Sequence, residues 1–173
     1  RRVRDANDNI SQVLTDELGR VKVETLFGKG NEADDLSGQT EFNTAAEETL
    51  VNDFLNAVSS TQLTTFGKGL LKSATRRFVY DVHRYRLSAG KEPVSSCSIA
   101  REWHFADLSD SPIQISFEYT NGFGLVVMKK AQAEPGPAKH LMLNLDDTYT
   151  VSVVDTSLSV PAGLRWVGNG RTV

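Results

Sequence analysis

Five short segments rich in β-branched and aromatic residues follow one another between residues 97 and 156. They read CSIAREWHF, IQISFEYT, FGLVVMKKA, HLMLNL and TYTVSVVDT. The stretches between them carry turn signals, because TNGFG contains the Asn-Gly pair of tight hairpins and QAEPGPAK is a Pro/Gly loop. Strands joined in succession by short turns pair antiparallel, so the sequence predicts a β-meander in this half.

The first half carries helical patterns. DANDNISQVLTDELG predicts a short helix ending at Gly19, because its apolar residues fall at helical spacing. TAAEETLVNDFLNAVSS predicts a second helix with Thr44 as N-cap and Glu47 at the capping-box position. A third pattern runs from Thr61 to about Arg76. Between the first two lie an alternating strand, RVKVETLF, and a long polar loop at 28–43.

These elements predict an α+β fold, with N-terminal helices followed by a mainly antiparallel β-meander sheet in the C-terminal half. With 173 residues the chain fits one domain. Its predicted parts are an arm, helix and long loop at 1–43, a helical pair at 44–76, an antiparallel β region at 77–156 and an extended tail at 157–173.

The stretch RRFVYDVHRYRL has both helical periodicity and the β-branched and aromatic density of a strand. We favour a helix to about Arg76 and a strand after it, and residues 77–87 remain open between the two structures. If this strand pairs with SIAREWHF, Asp81 faces Glu102, with His83 and His104 beside them. Two histidines and two carboxylates could bind a divalent metal or act as acid and base.

The tetrapeptide FGKG occurs at 27–30 and again at 66–69. It is not a phosphate loop, since that motif needs Gly-Lys-Ser/Thr after four variable residues, and Lys68 is followed by Gly69. The two copies share almost no flanking sequence, so they do not define an internal repeat.

Residues 51–91 hold seven Lys/Arg residues against two acids, in a chain with a net charge of -3. This basic band predicts contacts with an anionic partner or nucleic acid through six side chains: Lys68, Lys72, Arg76, Arg77, Arg84 and Arg86. The sequence pI of about 5.6 argues against a dedicated nucleic-acid-binding domain.

No catalytic motif, cofactor motif or established metal-binding motif occurs in the sequence. Cys97 is the single cysteine, which excludes an intrachain disulfide and a cysteine-based zinc site. No apolar run is long enough to span a bilayer as a helix, and no signal peptide is visible. We therefore expect a soluble protein that is cytoplasmic or associated with a virion.

The sequence favours a non-enzymatic structural or assembly protein that forms a homo-oligomer or a larger particle, such as a viral or phage component. The tail is expected to lie across a neighbouring subunit through Val160, Leu164 and Trp166. One alternative is a monomeric module that binds nucleic acid or another polyanion through residues 68–86. Another is a small metal-dependent enzyme that uses Asp81, His83, Glu102 and His104.

Overall fold

Ten β-strands dominate the computed structural model, which describes residues 1–28 and 34–171. Eight strands form one antiparallel sheet in the order β1-β2-β3-β4-β5-β6-β7-β10, and β8 and β9 form a separate hairpin. The strands are β1 Arg2–Arg4, β2 Ile10–Thr15, β3 Val21–Gly28, β4 Arg76–Asp81, β5 Val94–Arg101, β6 Ile113–Thr120, β7 Val126–Ala133, β8 Pro137–Leu143, β9 Tyr149–Asp155 and β10 Arg165–Arg171. The helices are α1 Ala45–Leu55, α2 Ser60–Leu71 and α3 Arg84–Leu87.

The predicted α+β class with N-terminal helices is wrong. The described residues are 41% strand and 19% helix, and the two longer helices lie mid-chain between β3 and β4. The predicted N-terminal helix is instead β2, which pairs with β3. The Asp16 carboxylate accepts hydrogen bonds from the amides of Leu18 and Arg20, and Gly19 has φ +76°. Those contacts form a hairpin turn where the pattern predicted a helix end.

Helix α1 begins as predicted, with the Thr44 hydroxyl accepting from the Glu47 amide at 3.2 Å. The Glu47 side chain does not return to Thr44, because it is buried against Arg77 and Lys22. Helix α2 ends at Leu71, five residues before the predicted limit at Arg76. The next residue, Lys72, has φ +52°, a left-handed conformation that ends the helix.

Residues 77–87 contain both structures that the sequence left open. The strand interpretation is confirmed for β4, and the chain then forms the short helix α3 at Arg84–Leu87. The predicted antiparallel meander is also confirmed from β4 to β7, with the Asn-Gly stretch joining β6 to β7. The predicted irregular tail is wrong in part, because β10 pairs with β7 and extends the sheet.

Helices α1 and α2 cover one face of the sheet. Their contribution to the buried core is Phe54, Leu63, Leu70 and Leu71, and the strands supply Val23, Val79, Cys97, Ile99, Ile115 and Phe117. The opposite face presents smaller and polar side chains such as Ser98, Ser116 and Ala131, on the alternate positions of the same strands. Within the described ranges, the helices therefore pack on one side of the sheet.

The described part of the predicted long loop is held by its own chain. The Asp35 amide donates to the Ser73 carbonyl, and the Gln39 side chain donates to the carbonyls of Leu70 and Leu71. The rest of the loop, with the last two residues of the first FGKG copy, falls at 29–33 and lies outside the described residues. None of the helices in the described ranges combines the length and hydropathy needed to cross a bilayer.

Candidate interaction surface

Hairpin β8–β9 has one face that is apolar along most of its length. Its register places Leu141 opposite Val151 and Leu143 opposite Tyr149. Because side chains alternate along a strand, these four residues and Val153 share a face, which we call the hairpin face. The opposite side of the hairpin is mixed, with His140 opposite Ser152 and Met142 opposite Thr150.

The side chains of the hairpin face are exposed in the isolated chain. Leu143 is 60% exposed, Tyr149 64% and Val153 71%. A β-strand with alternating apolar residues normally buries that side, and an isolated two-stranded hairpin is marginally stable in water. A clustered apolar surface of this kind marks an interaction site, unlike single exposed apolar residues.

Polar contacts hold the two ends of the hairpin in place. At its base, the Thr156 amide and hydroxyl both donate to the Gly136 carbonyl at 3.0 Å. At its tip, the Asp146 carboxylate accepts from the amide of Thr148 at 3.1 Å and from its hydroxyl at 2.6 Å. The hairpin is therefore ordered by its own turn chemistry, without cover for the hairpin face.

The two ends of the hairpin differ in charge, because the base carries Lys139 beside Asp155 and the turn carries two carboxylates. Lys139 pairs with Val153 at the base and shares the hairpin face, whereas Asp146 and Asp147 occupy the turn. Hydrogen bonds from Thr148 lower the pKa of Asp146, so its carboxylate is ionised at neutral pH. The hairpin face is thus an apolar strip with Lys139 and the Asp155 carboxylate at its base and the carboxylates of Asp146 and Asp147 at its tip.

The predicted basic band does not form one surface. Lys68 pairs with Asp110, and Lys72 donates to the carbonyl of Gly38. Both lysines line a cavity of about 430 Å³ together with Arg101, which the sequence did not single out. Since Asp34, Asp35 and Asp110 accompany these three cations, the charges around this cavity balance.

The four arginines lie elsewhere. Arg76 pairs with Glu24 at 3.3 Å, and Arg84 pairs with Asp81 at 2.7 Å. The hydrogen bond to Asp81 raises the pKa of the Arg84 guanidinium. Burial acts in the opposite direction but does not cancel the increase. Arg77 is buried and bound to Glu47, while Arg86 is exposed on α3. A single contact with a polyanion would need these basic residues on one surface, and the structure places them on separate ones.

The proposed group of two histidines and two carboxylates does not assemble. Asp81 lies opposite Ser95, whereas Glu102 follows Arg101 at the other end of β5, about 20 Å away along the strand. The assumed register between Asp81 and Glu102 is therefore wrong. Across the described ranges, no cluster of three or more His, Cys, Asp or Glu side chains could hold a metal ion.

His104 instead contacts Asp34, a residue that the sequence did not single out. The Asp34 side chain is fully buried and lies 3.1 Å from Nδ1 of His104. It also accepts from the Thr75 hydroxyl at 2.5 Å and from the Phe105 amide at 2.6 Å. Asp34 is 70 residues from His104, so no local pattern could have joined them. These bonds tie the loop after β5 to the segment before α1.

The three tail residues predicted at an interface have different environments. Val160 is 100% exposed, whereas Leu164 and Trp166 pack against the core. Trp166 meets Phe117 edge to face, with ring centroids 5.5 Å apart. The tail thus completes the sheet of its own chain, which leaves Val160 as the accessible member of the set.

Comparison with known proteins shows the fold alone. No protein-family profile matches the chain, and no curated protein sequence matches it. The chain is similar to part of a solved structure described as "Crystal Structure of TcdB2-TccC3", with a TM-score of 0.59 and 18% sequence identity. The match covers 99% of this chain and 7% of that chain. The fold therefore also occurs as a small part of a much longer polypeptide.

Proposed function

We propose that this chain is a non-enzymatic assembly module that self-associates through the hairpin face. The observation that carries the proposal is the row of exposed apolar side chains on one side of β8–β9. Burying each of them gains about 1–2 kcal/mol, since a fully buried aliphatic side chain gains roughly 1.5–3 kcal/mol. The occurrence of the fold within a much longer chain supports a structural role.

A second copy of the chain is the partner that best complements the hairpin face. Two identical faces can meet about a two-fold axis lying in the interface, either along the strands or across them. An axis along the strands brings Lys139 of each copy to Lys139 of the other. An axis across the strands brings the base of one hairpin to the tip of the other. Only this second arrangement sets Lys139 against Asp147, so contact between these two opposite charges favours it.

Light scattering over a range of protein concentrations tests the proposal. We expect the mean mass to rise with concentration, and Leu143→Lys to lower self-association at least tenfold because it buries an unpaired charge in the interface. Met142→Lys is the matched control, since Met142 is adjacent and exposed but points to the other side of the hairpin. A monomeric mass at every concentration overturns the proposal.

Charge exchange tests the arrangement of the two copies. Lys139→Glu alone and Asp147→Lys alone should each weaken self-association, because each sets like charges together. The double variant should recover most of the loss, since it restores an opposite pair with reversed polarity. Additive weakening in the double variant would exclude the two-fold axis across the strands.

A further inference from the structure

A cavity of about 430 Å³ lies where the end of α2, the end of β5 and the loop after β5 meet. Arg101, the last residue of β5, lies in its wall, and we call this space the Arg101 cavity. Its volume is within the roughly 300–1,000 Å³ of small-molecule sites. Its lining combines polar side chains with three apolar ones, those of Leu71, Phe105 and Ile113. This combination is typical of sites that bind small ligands.

The Arg101 guanidinium is held along one edge. Its Nε donates to the Ala74 carbonyl at 2.7 Å, and its Nη2 donates to the Lys72 carbonyl. The side chain is only 4% exposed, and its Cζ lies 5.1 Å from the centroid of the Phe105 ring. Nη1 is buried and has no hydrogen-bond partner among the described residues. Because a buried donor without an acceptor is costly, this end of the guanidinium favours a ligand that supplies an acceptor.

Two ammonium groups add further donors to the wall of the Arg101 cavity. Nζ of Lys68 donates to the carboxylate and the carbonyl of Asp110, and Nζ of Lys72 donates to the carbonyl of Gly38. An ammonium group has three N–H donors. Counting the bonds to described residues, each of the two lysines therefore retains at least one N–H for a ligand.

The three nearby aspartates balance the cations in number, but their carboxylates are engaged elsewhere. Asp34 accepts from the Thr75 hydroxyl and from a backbone amide, and Asp35 accepts from the Ser73 hydroxyl. The Asp110 side chain is 86% exposed, so it lies at the rim of the cavity. The groups that remain for a ligand are mainly N–H donors on cations, and these bind anions most strongly.

We propose that the Arg101 cavity binds a small organic carboxylate. The carboxylate accepts from the free end of the guanidinium, an arrangement in which two parallel N–H···O bonds can form. The apolar body of the ligand packs against the side chains of Leu71, Phe105 and Ile113. Because Nη1 is enclosed, a flexible wall side chain must move to admit the ligand. Lys68 can do so at low cost, since its ion pair with the exposed Asp110 is a surface pair.

NMR titration of the isotope-labelled protein with benzoate tests this inference. We expect saturable shifts at the amides of Ser73, Phe105 and Ser111 and at Nε–H of Arg101, with a Kd of about 1 mM or lower. Benzyl alcohol has the ring without the charge, and inorganic phosphate has the charge without the ring. Each should bind about tenfold more weakly or worse. The hairpin face lies outside the cavity lining, so this result is independent of self-association.

Two surface lysines provide a matched pair of variants. Lys68→Met should weaken benzoate binding about threefold to tenfold, because it removes one cationic donor. Lys129→Met is the control, since Lys129 also forms an ion pair, with Glu118, but does not line the cavity. Its affinity for benzoate should equal that of the wild type. Asp110→Asn should strengthen binding about twofold to fivefold, because it releases the Lys68 ammonium from a competing carboxylate.

Arg101→Lys should weaken benzoate binding about tenfold or more, because lysine keeps the charge but lacks the planar fork. Since Arg101 also holds the carbonyls of Ala74 and Lys72, urea unfolding of this variant is measured beside the titration. If the variant does not fold, Lys68→Met and Asp110→Asn decide the question. Equal affinity for benzoate and phosphate, equal effects of Lys68→Met and Lys129→Met, weaker binding to Asp110→Asn, or no saturable shifts overturns the inference.

Discussion

Nη2 of Arg77 donates a hydrogen bond to the Glu47 carboxylate at 2.9 Å, and both side chains are more than nine-tenths buried. Nζ of Lys22 reaches the same carboxylate at 3.3 Å, so one anion serves two buried cations. Burial lowers the pKa of Arg77. The pKa of Lys22 is lowered mainly by burial and also by repulsion from the Arg77 charge. This triad joins β3, β4 and α1, and it orients the helices on the sheet.

Glu47→Gln should destabilise the protein by about 3–5 kcal/mol, because it leaves two buried cations without a counter-charge. The measurement is the free energy of unfolding in urea at neutral pH. Asp8→Asn is the control, since Asp8 pairs with Arg4 on the surface, where the two side chains are 69% and 66% exposed. The control should cost less than about 1 kcal/mol. Equal losses of stability in the two variants would show that the triad does not hold the helices on the sheet.

Local signals explain which elements could be predicted from the sequence. The bounds of β6 were predicted at 113–120, because apolar and polar residues alternate along the strand and an Asn-Gly turn follows it. The N-cap of α1 was predicted because Thr44 and Glu47 lie three residues apart in the sequence, which is a local signal as well. Strand β2 was missed, since Ile10, Val13 and Leu14 fit a helix, and only pairing with β3 makes them a strand.

Distant contacts explain what could not be predicted. Arg77 was placed in a basic band because nothing local shows that Glu47, 30 residues earlier, accepts its side chain. Asp34 was overlooked in a polar loop for the same reason. The hairpin strands were predicted, yet their exposure was not, because a strand pattern does not say which elements cover it. Burial is a property of the assembled sheet.

Two glycines of the second FGKG copy should respond oppositely to alanine. A Cβ at Gly67 would lie 3.1 Å from Cδ1 of Ile113 and 3.4 Å from Cε2 of Phe54, in the contact between α2 and the sheet. Gly67→Ala should therefore cost about 1–2 kcal/mol through overpacking. At Gly69 the close neighbour is the end of the Leu50 side chain, at 3.2 Å.

Because Gly69 is exposed and the half-buried Leu50 side chain can rotate, Gly69→Ala should stabilise the protein by about 0.5 kcal/mol through helix propensity. Thermal unfolding of the two variants beside the wild type measures both effects. Stabilisation by Gly67→Ala would mean that α2 does not approach β6 as closely as these contacts require.

Trp166→Ala should cost about 2–3 kcal/mol, because Trp166 anchors the edge strand β10 to the core through its contact with Phe117. Nζ of Lys130 also lies 4.4 Å from the centroid of the Trp166 ring. Trp103→Ala, at a position that is 59% exposed, should change stability by less than about 0.5 kcal/mol. Urea unfolding, monitored by circular dichroism rather than by tryptophan fluorescence, compares the stabilities of the two variants. Similar losses would contradict the anchoring role.

Tyr119 should make stability depend on pH in the alkaline range. Burial raises the pKa of Tyr119 from 10.0 to about 12. Below pH 10 both folded and unfolded chains hold the phenolic proton, so the stabilisation is fully present. Between pH 10 and about 12 the unfolded chain has released the proton that the folded chain retains, and stability falls as pH rises.

Tyr119→Phe should remove this part of the alkaline loss, because phenylalanine has no phenolic proton to release. Urea midpoints measured across the alkaline range give the difference between wild type and variant. The tyrosinate absorbance of the wild type minus that of the variant isolates the titration of Tyr119 itself. A difference curve centred near pH 10 would show that water reaches the phenol of Tyr119. The rings of Tyr119 and Phe117 are stacked with centroids 6.2 Å apart, and such a curve would mean that their packing is looser than this.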